Sequence, residues 1–166
     1  MELLIKNKWV SLGGSSTITD TNGNEVFFVK GKIFSFTRMK FLMDKDKNVK
    51  YIIRNKFWRL FQRKALIYDN NKNLVAVVRR KIFSLHDHYF VTSDLGDVQI
   101  RGNILQFNYN ISLGDKQIGH IARKFSLRDS FVLTIDDNYD PAIFVSLVIA
   151  IDLITDRKDE DSSSND

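Results

Sequence analysis

The chain contains no cysteine and one proline among its 166 residues. Without cysteine there can be no disulfide, no thiol nucleophile and no thiolate ligand for a metal ion. This composition suits a reducing cytosol. Because proline interrupts the hydrogen-bonded ladder of a sheet, its absence before Pro141 leaves room for many uninterrupted strands.

Long apolar runs are also missing. The N-terminus, MELLIKNKWV, carries Glu2 and Lys6 and has no signal-peptide apolar core. The most apolar stretch, DPAIFVSLVIAID at 140–152, is interrupted by Asp152, whereas a membrane-spanning helix needs about 20 apolar residues. We therefore expect a cytoplasmic protein without a transmembrane span.

The sequence has none of the short motifs that carry common enzyme chemistry: G-x-S-x-G, a Walker loop, G-x-G-x-x-G and H-E-x-x-H are all absent. We expect a non-enzymatic protein with no catalytic residues and no cofactor. His86 and His88 would face the same side of a strand, but a zinc site would then need His120 from another hairpin. Surface histidines are the favoured interpretation, and no metal site is assigned.

Two acidic segments resemble the start of a calcium-binding EF-hand loop. They are DTNGNE at 20–25 and DNNKNL at 69–74. Both lack the glycine at loop position 6 and the glutamate at position 12, so hairpin turns are the better interpretation.

Charge is unevenly distributed along the chain, whose net charge is +5. The segment DRKDEDSSSND at 156–166 holds five acids and two bases, so the remainder of the chain is at +8. Because it contains no apolar residue, we expect a disordered acidic tail after a single domain at 1–155.

The apolar segment near the C-terminus has the features of a buried helix at about 141–155. Asp140 suits the N-cap and Pro141 the first helical position, and Ser146 can bond back to the Ala142 carbonyl. Its apolar residues fall on every side of the helix, so the rest of the protein must surround it.

The remainder of the chain reads as a series of hairpins. Period-2 alternation recurs from about residue 15 to 137, as in ILQFNYNI at 104–111. The segments 18–35, 67–84 and 111–126 share one pattern: a strand, a polar turn, an apolar strand, basic residues and Phe-Ser. Weaker copies occupy 42–57 and 91–103. The turn centres fall near Gly23, Lys47, Lys72, Gly96 and Gly114.

Counting outward from these turns gives about twelve antiparallel strands. About eight strands already make a barrel just wide enough for its own side chains to fill, whereas a helix is about 10 Å across. The predicted fold is therefore mainly β, a closed antiparallel barrel of about twelve strands enclosing one hydrophobic C-terminal α-helix.

The repeated hairpin, with the pattern D-x-x-G-x-x-V-x-x-V-x-x-K-x-F-S, and the terminal DPAIFVSLVIAID resemble the LURP-one-related (YxjI-like) family of the tubby-like superfamily. The resemblance implies a twelve-stranded barrel around a C-terminal helix. It also implies a relationship to tubby domains, which bind phosphoinositides, and to phospholipid scramblases. It places no lipid-binding residue on this chain, and the scramblase-type cysteine cluster is absent.

Basic residues are the candidate binding site. RNKFWRLFQRK at 54–64 interleaves cations with aromatic side chains, and basic groups recur at equivalent places in other repeats. The candidates for an anion- or lipid-binding site are Arg54, Lys56, Trp58, Arg59, Arg63, Lys64, Arg79, Arg80, Lys81, Arg123 and Lys124. If the barrel brings these strand ends together, they would form one rim able to adsorb to an anionic membrane or a phosphoinositide.

Other interpretations of the basic residues remain open. The cations could be the solvated ends of strands, and the aromatics part of the core. The barrel would then serve as a structural or protein-interaction module. A nucleic-acid-binding module is a further alternative, since basic and aromatic residues together suit single-stranded nucleic acid, but no recognised motif accompanies them.

Overall fold

The computed structural model describes residues 1–6, 15–31, 39–55, 64–81, 87–103, 108–123 and 130–155. These residues form twelve strands and one helix, in agreement with the predicted number. The strands are Glu2–Lys6 (β1), Ser15–Asp20 (β2), Glu25–Gly31 (β3), Met39–Asp44 (β4), Val49–Asn55 (β5), Lys64–Asp69 (β6), Leu74–Arg80 (β7), Asp87–Ser93 (β8), Gly96–Asn103 (β9), Asn108–Leu113 (β10), Lys116–Arg123 (β11) and Ser130–Ile135 (β12). The helix α1 spans Pro141–Thr155.

The twelve strands close into one antiparallel barrel. Each strand pairs with its neighbours in sequence, and β1 completes the circle by pairing with β12. At this seam Leu3 lies opposite Leu133 and Ile5 opposite Phe131. All four side chains are buried, so the seam is packed with the same kinds of residue as the rest of the interior.

The hairpin turns lie where the repeats predict them. Positive φ angles occur at the five predicted turn centres: Gly23, Lys47, Lys72, Gly96 and Gly114. In the first turn, one Asp20 carboxylate oxygen accepts the backbone N–H groups of Asn22 and Asn24 at 2.9 and 2.8 Å. The Asn24 side chain donates to the other oxygen at 2.8 Å, and these hydrogen bonds lower the pKa of Asp20. The carboxylates of the EF-hand-like segments thus serve their own turns.

Alternation along each strand separates the barrel interior from its outer surface. In β10, for example, Tyr109 and Ile111 are buried while Asn108 and Asn110 are exposed. The inward residues join the helix side chains in a single apolar cluster. The period-2 pattern is therefore confirmed along the strands except at bulges in the β2–β3, β4–β5, β6–β7 and β10–β11 hairpins, where the register shifts.

The helix fills the barrel, as predicted. Every residue from Ala142 to Ile151 is buried, as are Leu153 and Ile154. The Asp140 carboxylate accepts the Ala142 backbone N–H at 2.9 Å, and the Ser146 hydroxyl donates to the Ala142 carbonyl at 2.9 Å. Both predicted local hydrogen bonds are thus confirmed. Within the described part of the chain, no helix has the length and hydrophobicity needed to cross a bilayer.

Two contacts show which way the helix runs. Near its start, the Tyr51 hydroxyl donates to Asp140 at 3.4 Å; burial and the Asp140 charge raise the pKa of Tyr51 to about 12. Near its end, the Asn55 side chain donates to the Leu153 carbonyl at 2.8 Å. Tyr51 and Asn55 both lie on β5, so α1 runs alongside this strand from one end of the barrel to the other.

Candidate anion-binding site

The two ends of the barrel are built differently. At one end, which we call the turn rim, the short turns 21–24, 45–48, 70–73, 94–95 and 114–115 connect successive strands. At the other end β3, β5, β7, β9 and β11 finish and the strands that follow them begin. We call this second end the basic rim, because its described strand ends carry most of the cations.

Charge is segregated between the rims. Among the described residues, the strand ends at the basic rim carry these cations: Lys6, Lys30, Lys40, Arg54, Lys64, Arg79, Arg80, Lys81, Arg101 and Arg123. Asp87 is an acid on the same strand ends, and Asp152 lies in the last turn of α1. The turn rim carries these acids: Glu2, Asp20, Glu25, Asp44, Asp46, Asp69, Asp94, Asp97, Asp115, Asp136, Asp137 and Asp140. Fewer cations accompany them: Lys45, Lys47, Lys50, Lys72 and Lys116. A modest net charge therefore conceals a strong electrostatic polarity along the barrel axis.

Six of the predicted site residues fall within the described strands or next to them. Arg54 ends β5, Lys64 begins β6, Arg79 and Arg80 end β7, Lys81 follows β7 and Arg123 ends β11. The closed topology places all six at the basic rim. The other predicted site residues lie outside the described residues: Lys56, Trp58, Arg59, Arg63 and Lys124.

Lys64 and Arg79 lie directly opposite each other on β6 and β7. Arg54 lies one strand further on, opposite Leu66. Like charges paired across neighbouring strands repel each other and lower stability. An anion bound between these side chains would remove that repulsion, and this makes the outer side of the basic rim a suitable anion site.

Arg80 differs from its neighbour Arg79. It points into the barrel, where its guanidinium forms an ion pair with Asp87; the two side chains are 12% and 5% exposed. Because this pair is desolvated on both sides, removing either partner would leave a buried charge uncompensated. Arg80 therefore has a structural role inside the rim, in addition to any contribution to the rim's potential.

A polar layer, which was not predicted from the sequence, lines the interior at this end of the barrel. Its members are Lys40, Asn55, Asp87, Tyr89 and Tyr109. The Tyr89 hydroxyl lies 3.1 Å from the Thr155 hydroxyl, in the last turn of α1. The alternation along the strands does indicate this layer: where a polar residue occupies an inward position, as Asn55 does after Ile53, the apolar core ends.

On the outer surface, His88 is held by two polar neighbours. Arg101 donates to its Nε2 at 3.2 Å and also to the Gln99 side chain at 2.6 Å. Partial burial and the positive charge of Arg101 lower the pKa of His88. The same Nε2 lies 3.3 Å from the Gln99 side-chain oxygen, so His88, Gln99 and Arg101 form one polar cluster on the outer wall.

The histidines do not come together. His88 is on β8 and His120 on β11, with β9 and β10 between them in the barrel, and His86 lies outside the described residues. His120 is hydrogen-bonded instead to the Asn110 side chain, at 2.8 Å. No cluster of three metal-ligating side chains occurs among the residues that the structure describes.

Comparison with known proteins gives a family and a fold. A search of curated proteins finds no match. The X-ray structure of a protein from Arabidopsis thaliana is similar, with a TM-score of 0.66 at 21% sequence identity, over 89% of this chain and 86% of that chain. The sequence model of the LURP-one-related family matches residues 1–152, which include all twelve strands and most of the helix. The chain is therefore a member of the LURP-one-related family.

Proposed function

We propose that this LURP-one-related barrel is a binding protein, not an enzyme, and that its basic rim adsorbs to anionic phospholipid surfaces, including phosphoinositide headgroups. The observation that carries the proposal is the segregation of charge, with cations at the basic rim and most acids at the turn rim. This arrangement gives the molecule a preferred orientation in the field of a negatively charged surface.

Electrostatic adsorption supplies sufficient free energy. A Lys or Arg near an anionic bilayer contributes about 1 kcal/mol, and the attraction decays within a Debye length, about 8 Å at physiological salt. Arg54, Arg79 and Lys81 are exposed, and Lys64 is half-buried beside Arg79. These four side chains alone would give several kcal/mol at low salt. The protein would associate peripherally and reversibly.

The segments between the described strand ends add to this potential by sequence alone. They contain Lys56, Arg59, Arg63 and Lys124, and the aromatic Trp58, all predicted members of the site. Aromatic side chains favour the headgroup level of a bilayer. We include these residues in the proposed site on that ground.

The proposal is tested with vesicles of neutral phosphatidylcholine, with and without an anionic phospholipid, in a sedimentation assay. We expect binding to the anionic vesicles at low salt and release as salt rises, because screening weakens each cation's contribution. The rim variant R54E/R79E should bind at least tenfold more weakly, since each reversal replaces an attraction of about 1 kcal/mol with a repulsion. The matched control K45E/K72E makes the same change in net charge at the turn rim and should lose less than about threefold.

Three results would contradict the proposal. Equal losses in the two variants would mean that net charge, and not the rim, governs binding. Equal binding to neutral and anionic vesicles would exclude an electrostatic mechanism. Tighter binding of a single-stranded oligonucleotide than of anionic vesicles at the same salt would favour nucleic acid as the partner.

A further inference from the structure

One half of the barrel's outer wall is apolar. On β3 to β8 the outward positions include Phe28, Met39, Phe41, Met43, Val49, Ile52, Leu66, Tyr68, Leu74, Val77 and Phe90. Most of these side chains are half-buried by their neighbours, but Phe90 is 41% and Leu74 53% exposed. We call this surface the apolar half-wall. No described helix or strand covers it, because α1 lies inside the barrel.

The other half of the outer wall is polar. Its outward positions on β9 to β12, β1 and β2 include Gln99, Arg101, Asn108, Asn110, Gln117, His120, Thr134, Glu2, Thr17 and Thr19. A small apolar spot occurs where Leu4 on β1 lies opposite Val132 on β12. Ordinary alternation in a barrel produces polar outward residues all round, so the apolar half-wall is the exception that needs a partner.

Except for Glu25 at the turn-rim end of β3, the charged side chains at outward positions of the apolar half-wall are positive. Lys30, Arg54, Lys64 and Arg79 occupy outward positions on β3, β5, β6 and β7, close to the basic rim. The other acids on these strands, Asp44, Asp69 and Asp87, occupy positions of inward parity. The surface therefore combines an apolar area with a cationic border, the combination by which amphipathic elements bind an anionic membrane interface.

We infer that the apolar half-wall faces the membrane, so that the barrel docks on its side with β6 to β8 at the lipid interface. This inference rests on the proposed function and adds the orientation and the apolar contact. At the centre of the half-wall, Leu66 on β6 lies opposite Val77 on β7. The two cations Lys64 and Arg79 lie opposite each other on the same strands, nearer the basic rim. Phe90, opposite Arg79, is the most exposed aromatic side chain of the half-wall among the described residues. Lys64 and Arg79 would contact lipid phosphates while Leu66 and Phe90 enter the headgroup region.

A second copy of the chain fits this surface less well than a bilayer does. Two half-walls packed in the same direction would bring their cationic borders together. Packed in opposite directions, each border would meet the partner's turn rim, where Lys45, Lys47 and Lys72 offset the nearby acids. Two of those acids, Asp44 and Asp69, already accept hydrogen bonds within their own turns. An anionic bilayer supplies negative charge without these conflicts.

The variant L66Q/F90Q tests the docking surface, with L4Q/V132Q on the polar half as the matched control. Both variants exchange two outward apolar side chains for glutamine and keep every charge. Rising salt should release most of the wild-type protein from anionic vesicles, as the proposed function expects, but a smaller bound fraction should remain, because contact between apolar groups is not screened. In L66Q/F90Q that fraction should disappear and the partition coefficient fall about tenfold or more, whereas the control should change less than about twofold. Circular dichroism melting curves establish that both variants fold.

Other outcomes would overturn the docking model. If L66Q/F90Q binds like the wild type while R54E/R79E does not, the basic rim binds lipid without the half-wall, and only the proposed function survives. An equal loss in the control would mean that side docking is not specific to β6 to β8. If the wild type sediments as a dimer in solution, and L66Q/F90Q is a monomer with unchanged vesicle binding, the half-wall joins two copies of the chain.

Discussion

At the residue scale, Tyr89 and Tyr109 offer a direct comparison of two buried hydroxyl groups. Their rings meet edge to face in the polar layer, with centroids 6.3 Å apart and planes inclined by 64°. The Tyr89 hydroxyl is hydrogen-bonded to Thr155, whereas the buried Tyr109 hydroxyl has no partner within the described residues. Burial is the main cause of the raised pKa of Tyr109.

We therefore expect opposite effects from removing each hydroxyl. Tyr109→Phe should raise the free energy of unfolding by about 1 kcal/mol, because an unsatisfied buried polar group is costly. Tyr89→Phe should lower it by about the same amount, because it leaves Thr155 without its hydrogen bond. Urea denaturation of both variants measures the difference. A loss of stability in Tyr109→Phe would show that this hydroxyl is hydrogen-bonded in solution.

The alternation of residues along a strand predicts which side of the barrel wall each basic residue of the rim faces. Arg79 and Arg80 are adjacent and chemically identical, yet one is exposed and the other is paired inside the barrel. Alternation predicts this difference: Val78 is buried, and Arg80, two residues further along β7, faces the same inner side of the wall, whereas Arg79 faces outward. The partner Asp87 could not be inferred in the same way. That contact depends on the pairing of β7 with β8 across a connection whose length does not fix the register.

At the scale of the elements, the hairpin turns require a residue with positive φ, and this chain places either glycine or lysine there. Gly23 has a φ of +86°, and Lys47 and Lys72 have φ angles of 65° and 68° at equivalent turn positions. Glycine adopts this region freely, whereas other L-residues pay about 1–2 kcal/mol. The turns at Lys47 and Lys72 were predictable because their segments align with the Gly23 turn, not because lysine favours such turns.

This difference predicts the effect of exchanging the residues. Lys72→Gly should raise the free energy of unfolding by roughly 0.5–1 kcal/mol, because strain relief exceeds the added entropy of the unfolded chain. Lys47→Gly should gain less, because the Lys47 ammonium lies 2.6 Å from the centre of the Phe28 ring. The converse change Gly23→Ala should cost about 1 kcal/mol. A Cβ there would meet no atom within 4 Å, so the cost would come from the backbone alone.

These changes are measured by thermal unfolding. Equal gains in Lys47→Gly and Lys72→Gly would contradict a stabilising contact between Lys47 and Phe28. No loss in Gly23→Ala would contradict the backbone explanation for the whole set.

At the scale of the whole molecule, the helix determines whether the barrel can exist. Twelve strands enclose more space than their own inward side chains fill, and α1 occupies the remainder. The fold could be predicted because each element needs the other. A helix that is apolar on every side must be enclosed by other elements, and a barrel of twelve strands must have something to fill its interior. The polar layer and the apolar half-wall were not predicted, since each requires the alternation to be followed around the closed sheet.

We expect a chain ending at Asp140 to show no cooperative unfolding transition, because the interior would lose the buried residues of α1. The control is a chain ending at Thr155, which keeps all thirteen described elements and should unfold with a single transition. Thermal denaturation followed by circular dichroism distinguishes them. A cooperative transition in the shorter chain would mean that the strands can fill the barrel without the helix.

The seam between β1 and β12 affects the tendency of this protein to aggregate. The two seam strands, ELLIK and SFVLTI, are rich in leucine and isoleucine, and apolar strands of this kind form amyloid-like aggregates when a sheet edge is exposed. Closure gives each described strand two hydrogen-bonded neighbours and so conceals every such edge. Any change that opens this seam would uncover two templates for self-association at once, one along β1 and one along β12.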